Sequence, residues 1–162
     1  MKTTLLFLLG LSVMLGACGT EGETTSPLWG IDFSSENASG FAMGTVDQYI
    51  SDTKTIYIVK TANMRLAGED TFVLSYTFES GDALLLTITK KTPDLIYQFP
   101  GVIGENQLLS ARFNGNDLNL VDSKIVVQPR TEENKFATTT KLQTMDEVVF
   151  DGSIGRIPLL KD

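Results

Sequence analysis

The chain has 162 residues, with 13 Lys and Arg against 20 Asp and Glu, no histidine and one cysteine, for a formal charge of −7. This acidic balance argues against nucleic acid as a partner, because neutralising a phosphate backbone needs basic patches, and against electrostatic adsorption to anionic membranes. Without histidine no Ser-His-Asp or Cys-His nucleophile and no His-ligated zinc site can be assembled, which leaves carboxylate pairs, lysine or tyrosine bases and oxygen-ligated calcium as the available chemistry.

The first eighteen residues combine Lys2, an apolar stretch from Leu5 to Leu15, the small residues Gly16 and Ala17, and the lone Cys18. Eleven apolar residues fall short of the roughly 20 that a membrane-spanning helix needs, and the order of charge, apolar run and small residues is that of a cleaved leader. Leu15-Gly16-Ala17-Cys18 resembles the lipobox of bacterial lipoproteins. The resemblance implies cleavage before Cys18 and a diacylglyceryl group on its sulfur, so that the membrane is met through lipid. Two or three acyl chains, at about 0.8 kcal/mol per buried methylene, hold a protein stably where one does not. Gly19 stands where lipoproteins kept in the inner membrane of Gram-negative bacteria carry aspartate, so for such a host the resemblance implies the outer membrane.

Taking residues 1–17 as leader leaves 145 of the 162 residues, with 12 basic groups against 20 acidic ones, a length that suits one domain. Lipidation of Cys18 would remove the only thiol, leaving core burial to stabilise the domain without a disulfide. Residues 19–27, Gly-Thr-Glu-Gly-Glu-Thr-Thr-Ser-Pro, offer nothing large and apolar, and with Cys18 they read as a flexible tether reaching some 30 Å when extended. Residues 28–162 read as the single folded domain.

From Leu28 onward, strand-forming runs alternate with Gly, Asn, Asp and Pro. Residues 40–50 fit a helical stripe through Met43, Val46 and Ile50, and a short helix is expected there, although Phe41, Met43 and Thr45 also suit a strand. Thr55 to Thr61 is apolar on both faces and is expected to be a central strand. Thr71 to Phe78 alternates strictly, with Phe72, Leu74, Tyr76 and Phe78 on one face, and the turn residues Glu79-Ser80-Gly81-Asp82 lead into Ala83 to Lys90, predicting an antiparallel hairpin. Asn114-Gly115-Asn116-Asp117 predicts a second hairpin, between Gln107–Phe113 and Leu118–Val121. Further strands are expected over Ser123–Gln128, closed by Pro129, over Phe136–Met145 after a charged loop, and over Val148–Phe150 and Ile154–Leu160, divided at Asp151-Gly152. Pro158 confines the last strand to an edge or ends it. The pattern predicts an all-β domain, an antiparallel β-sandwich or small barrel of about eight to ten strands with at most one short helix. The layout and the Gly155-Arg156-Ile157-Pro158 ending also look like the small all-β lipoprotein domains of unknown function found in Bacteroidota, a resemblance that implies no site residues.

Three groups of residues carry candidate chemistry. Asn114, Asn116, Asp117 and Asp122 gather hard oxygen donors suited to calcium around a turn, in a spacing that matches no established calcium loop; these are also ordinary hairpin-turn residues. Trp29, Tyr49, Tyr57 and Tyr97 can supply flat amphipathic surfaces for stacking on sugars, or pack the core. Glu132 and Glu133 are adjacent in a charged loop, where solvated charge is the ordinary role and acid-base catalysis the exceptional one. No catalytic residue and no cofactor is expected. The function expected is a lipid-anchored envelope module that binds or assembles with a protein or glycan; a carboxylate-dependent glycan hydrolase and a lipocalin-like carrier of an apolar ligand are the alternatives.

Overall fold

The computed structural model describes residues 25–26, 31–32, 41–68, 70–89, 96–102, 106–133 and 135–160. The expected leader, Cys18, Trp29 and most of the expected tether lie outside them. Two short strands, β1 (Thr25–Ser26) and β2 (Ile31–Asp32), pair antiparallel as a small ribbon of their own. The remaining strands are β3 (Met43–Ile50), β4 (Thr53–Leu66), β5 (Thr71–Phe78), β6 (Ala83–Thr89), β7 (Ile96–Phe99), β8 (Leu108–Phe113), β9 (Asn116–Asp117), β10 (Ser123–Arg130), β11 (Lys135–Gln143), β12 (Val148–Ile157) and β13 (Leu159–Leu160). They form one sheet in the order β7-β10-β11-β12-β3-β4-β5-β6-β8-β9, every neighbour antiparallel, with β13 running parallel beside β4. A parallel bridge between Gln98 and Gln107 brings β7 back to the start of β8, so the all-β sheet curls upon itself like a barrel.

β4 turns the corner of the curl. Its first part, from Thr53 to Ile58, pairs with β3, and its second, from Val59 to Leu66, pairs with β5. Between Val59 and Thr61 the register shifts by one residue, and that bulge reverses the parity of the strand. Val59 faces inward before it, Ala62 and Met64 face inward after it, and Lys60 and Thr61 are both exposed. The strand was expected to be central and is, but its two-sided burial is corrected: Ile56 and Ile58 lie on the outer face, 57% and 50% exposed.

The hairpin of β5 and β6 follows the alternation read from sequence, with Phe72, Leu74, Tyr76 and Phe78 buried opposite Ile88, Leu86 and Leu84. The helix expected over residues 40–50 is instead β3. Its outer residues Thr45, Asp47 and Tyr49 alternate with the buried Val46, and ladders to β12 and β4 on both sides supply hydrogen bonds that override the helical spacing. Asp151-Gly152 does not divide β12, because Gly152 sits inside the ladder opposite Val46, where a Cβ would come within 2.3 Å of the Thr45 carbonyl oxygen. A Cβ on Gly44, at φ +150°, would meet the Ser153 carbonyl oxygen at least as closely from the other side. These two glycines let the β3 and β12 backbones approach closely where they pair. The second hairpin keeps its Asn114-Gly115 turn, but the return strand is only Asn116–Asp117. The Leu120 amide then donates to the Leu118 carbonyl at 2.9 Å, turning the chain away from β8 before the expected Leu118–Val121 strand can form. Pro129 lies within β10, past the last residue paired with β7, where its missing N–H costs no ladder bond. β12 ends before Pro158, whose carbonyl accepts the Met64 amide at 2.9 Å.

One continuous core fills the interior, with Tyr76, Phe78, Tyr97, Phe136 and Phe150 among its largest members. The Tyr76 hydroxyl lies 3.0 Å from Thr138 Oγ1 across the core, a buried pair that joins β5 to β11. Burial pushes the Tyr76 phenol up to about 12, whereas an unfolded tyrosine titrates near 10. The folded state therefore holds the proton more tightly, and its stability is full below about pH 10 and declines as pH rises toward 12, by on the order of 2 kcal/mol. Tyr76→Phe is expected to cost about 1 to 2 kcal/mol at pH 8, by stranding Thr138, and to flatten the decline above pH 10; urea denaturation at both pH values measures each effect. Gly152→Ala, which drives a methyl group into the β3 backbone, is expected to lower stability by about 2 kcal/mol or more in the same assay.

Candidate functional site

At one end of the curled sheet, three separated segments converge. Gln48 comes from the inner face of β3, residues 113–119 from the end of β8, through β9 to the turn beyond, and residues 144–150 from the β11–β12 turn and the start of β12. Between them lies a half-open cleft of about 190 Å³, lined by Gln48, Asn116, Asp117, Asn119, Thr144 and Asp146 around Phe113, Leu118, Val148 and Phe150. Its walls are tied together through the backbone. The Met145 amide donates to the Asn119 carbonyl at 2.8 Å, the Val121 amide to the Gln143 carbonyl at 2.8 Å, and the Val148 amide to Thr144 Oγ1 at 3.1 Å.

Beneath the cleft runs a file of rings. Tyr57 packs on Phe78 at 5.1 Å and on Phe113 at 5.4 Å between centroids, and Phe113 packs on Phe150 at 5.1 Å. The Tyr57 hydroxyl donates to Gln48 Oε1 at 3.0 Å, which fixes the amide so that its NH₂ group is left as a donor. Desolvation first, and the nearby Asp82 charge second, raise the Tyr57 phenol above its ordinary value, so it stays a neutral donor. Arg112 Nε holds Asp117 Oδ1 at 2.5 Å on the rim, with both side chains exposed.

The expected oxygen cluster does not gather around one point. The Asn114 side chain reaches across to the β5–β6 turn, where Nδ2 donates to Asp82 Oδ1 at 2.6 Å and Oδ1 accepts from the Ala83 amide at 2.9 Å. Asp117 is engaged by Arg112, Asn116 lines the cleft, and Asp122 is exposed ahead of β10. Among the described residues no group of three or more acidic, cysteine or histidine side chains is placed to hold a metal ion. The described tyrosines do not share a face either. Tyr49 lies on the outer face with Lys54 Nζ 5.6 Å from its ring centre, Tyr57 is half-buried below the cleft, and Tyr97 is fully buried in β7. Glu133 lies in a 3-10 turn between β10 and β11, 3.7 Å from Arg156. Gln48, Asn119, Thr144 and Asp146 were not singled out in the sequence, where each reads as an ordinary strand or turn residue. Only the fold brings them together.

A larger groove of about 350 Å³, lined by Phe41, Lys60, Asn63 and Pro158 among others, offers fewer polar groups. The smaller cleft is the better candidate because its polar side chains converge. Comparison with known proteins returned no match: no family model, no curated protein and no solved structure matches the chain.

The Asn114 clasp makes a prediction of its own. Asp82 titrates below the ordinary carboxylate range because Ser80 and Asn114 both donate to it. A depressed carboxylate stabilises the fold above its unfolded pKa and loses that contribution as pH falls through the folded value. Asn114→Ala should therefore raise the Asp82 pKa in an NMR titration and reduce the acid sensitivity of stability below about pH 4.

Proposed function

We propose that the protein is a lipid-anchored module of the bacterial cell envelope that binds an uncharged saccharide in the end cleft. The observation that carries the reading is the composition of the cleft: five planar polar side chains, Gln48, Asn116, Asp117, Asn119 and Asp146, surround an apolar floor that includes Phe113 and Phe150. Amides and carboxylates can engage two neighbouring sugar hydroxyls at once, and an apolar ring accepts the C–H face of a pyranose. The charge present favours an uncharged ligand, since two carboxylates stand on the rim and the one arginine beside them is already held by Asp117. A packed core in the described interior supports an end-cleft binder over a carrier with a hollow barrel. The lipobox motif supports the anchor and the envelope address, and a tether would let the cleft meet its ligand away from the lipid surface.

On a glycan array, binding is expected among neutral saccharides and not among sulfated or phosphorylated ones. Calorimetry with a neutral hit should show Asn119→Ala and Asp146→Ala each weakening binding at least about tenfold, or 1.4 kcal/mol; an array with no neutral hit would overturn the saccharide reading. For the anchor, labelled palmitate is expected to enter the wild type in a bacterial host and not Cys18→Ser. Incorporation into both would remove the lipoprotein reading.

A further inference from the structure

The β3–β4 hairpin leaves one strand edge open. The two-residue turn Ser51-Asp52 makes Ile50–Thr53 the first pair of the ladder, followed by Gln48–Thr55 and Val46–Tyr57. In such a hairpin the peptide groups of Thr53, Thr55 and Tyr57 face β3. The opposite side of β4 is marked by Ile58, whose carbonyl accepts the Glu79 amide at 2.9 Å where β5 leaves the strand. By alternation, the N–H and C=O groups of Lys54 and Ile56 point away from β3. β5 meets β4 only from Val59 onward, and among the described residues nothing pairs with Lys54 or Ile56 on that side.

Natural edges are blunted by proline, bulges or outward charges. Here there is no proline, the bulge comes only after Val59, and the one charge is neutralised on its own sheet by the 2.7 Å contact of Lys54 Nζ with Asp47. The edge is built from Thr53, Thr55, Ile56 and Ile58, residues that favour strands.

We infer that this edge pairs with the same edge of a second copy, antiparallel, with Thr55 on the two-fold axis. In that register Lys54 of each copy exchanges N–H and C=O with Ile56 of the other, Thr55 faces Thr55, and pairing stops short of the occupied Ile58 carbonyl. The chemistry is self-complementary. Each Lys54 stem covers the exposed Ile56 of the other copy, and because Asp47 is the β3 neighbour of Ile56, each ammonium comes to lie between two Asp47 carboxylates. An isologous contact of this kind closes as a dimer and consumes the β4 edge on both copies.

The test uses the full chain carrying Cys18→Ser, which has no other cysteine. Sedimentation equilibrium should show reversible dimers. Ile56→Pro deletes an N–H that faces away from β3, so it should leave the circular dichroism spectrum unchanged and weaken dimerisation at least tenfold; Ile56→Lys serves the same purpose if proline impairs folding. Thr55→Cys should crosslink on mild oxidation, since facing residues of a non-hydrogen-bonded pair lie about 4.5 Å apart between Cα atoms, whereas Thr53→Cys should not. A chain that stays monomeric at millimolar concentration, a dimer indifferent to both Ile56 variants, or crosslinking at position 53 in preference to 55 would each overturn the inference.

Discussion

The structure depends on the one-residue bulge at Lys60. An antiparallel strand keeps one parity along its length, so a fourteen-residue strand that leaves one half of a curled sheet and enters the other would normally carry the wrong side chains to the core. The extra residue changes the parity just after the partner changes, so Tyr57 faces in beside β3, Val59 faces in where β4 first meets β5, and Ala62, Met64 and Leu66 face in along the rest of β5. Bulges also increase local twist, and the bend lets β5 and β6 fold over the sheet, bringing Tyr76 against Thr138. Losing that residue would turn Met64 and Leu66 outward and expose Arg65 to the core.

This device explains what could and could not be read from the sequence. The β5–β6 hairpin was legible because eight residues alternate without a break and the turn chemistry follows directly. β4 was legible as a central strand but not as a cornering one. Ile56 and Ile58 on its outer face are as apolar as Val59 on the inner face, so the hydrophobic pattern carries no mark of the phase change. β3 is not legible as a strand for a related reason. Met43, Val46 and Ile50 satisfy a helical stripe, and the decision for strand comes from β12, a partner about a hundred residues away, whose Gly152 and Ile154 fit against Val46 and Gly44. Such pairings leave no local trace.

The cleft is legible in its materials and not in its assembly. Asn116 and Asp117 stood out as polar groups at a turn, and Tyr57 as an aromatic with a polar tip. Their roles differ from those expected because the tertiary neighbours differ: Arg112 holds Asp117, Asn114 is drawn away to Asp82, and Tyr57 orients Gln48 from below. Of the other lining residues, Thr144 and Asp146 come from the β11–β12 turn, which is bonded through its backbone to the segment after β9. A site built this way is positioned by the rigid ends of paired strands, the arrangement that permits sequence change at the rim without loss of the scaffold.

Under the proposed reading, cleft and edge share one hairpin. Gln48, which lines the cleft, stands directly opposite Thr55, which lies on the axis of the inferred dimer. Pairing two β4 edges would stiffen the hairpin that carries Gln48, and a saccharide held by Gln48 would restrict the same strands from the other side. Linkage makes any such coupling reciprocal, so the factor by which pairing tightens saccharide binding is the factor by which saccharide tightens pairing. Anchoring adds a second consequence. Copies held by lipid in one leaflet meet at an effective concentration far above that of free chains, so an edge contact too weak to persist in dilute solution can dominate at a membrane. A short unprotected edge is a hazard in a soluble protein, and on a tethered one, under the proposed reading, it would become a means of presenting two clefts together to a repeating glycan.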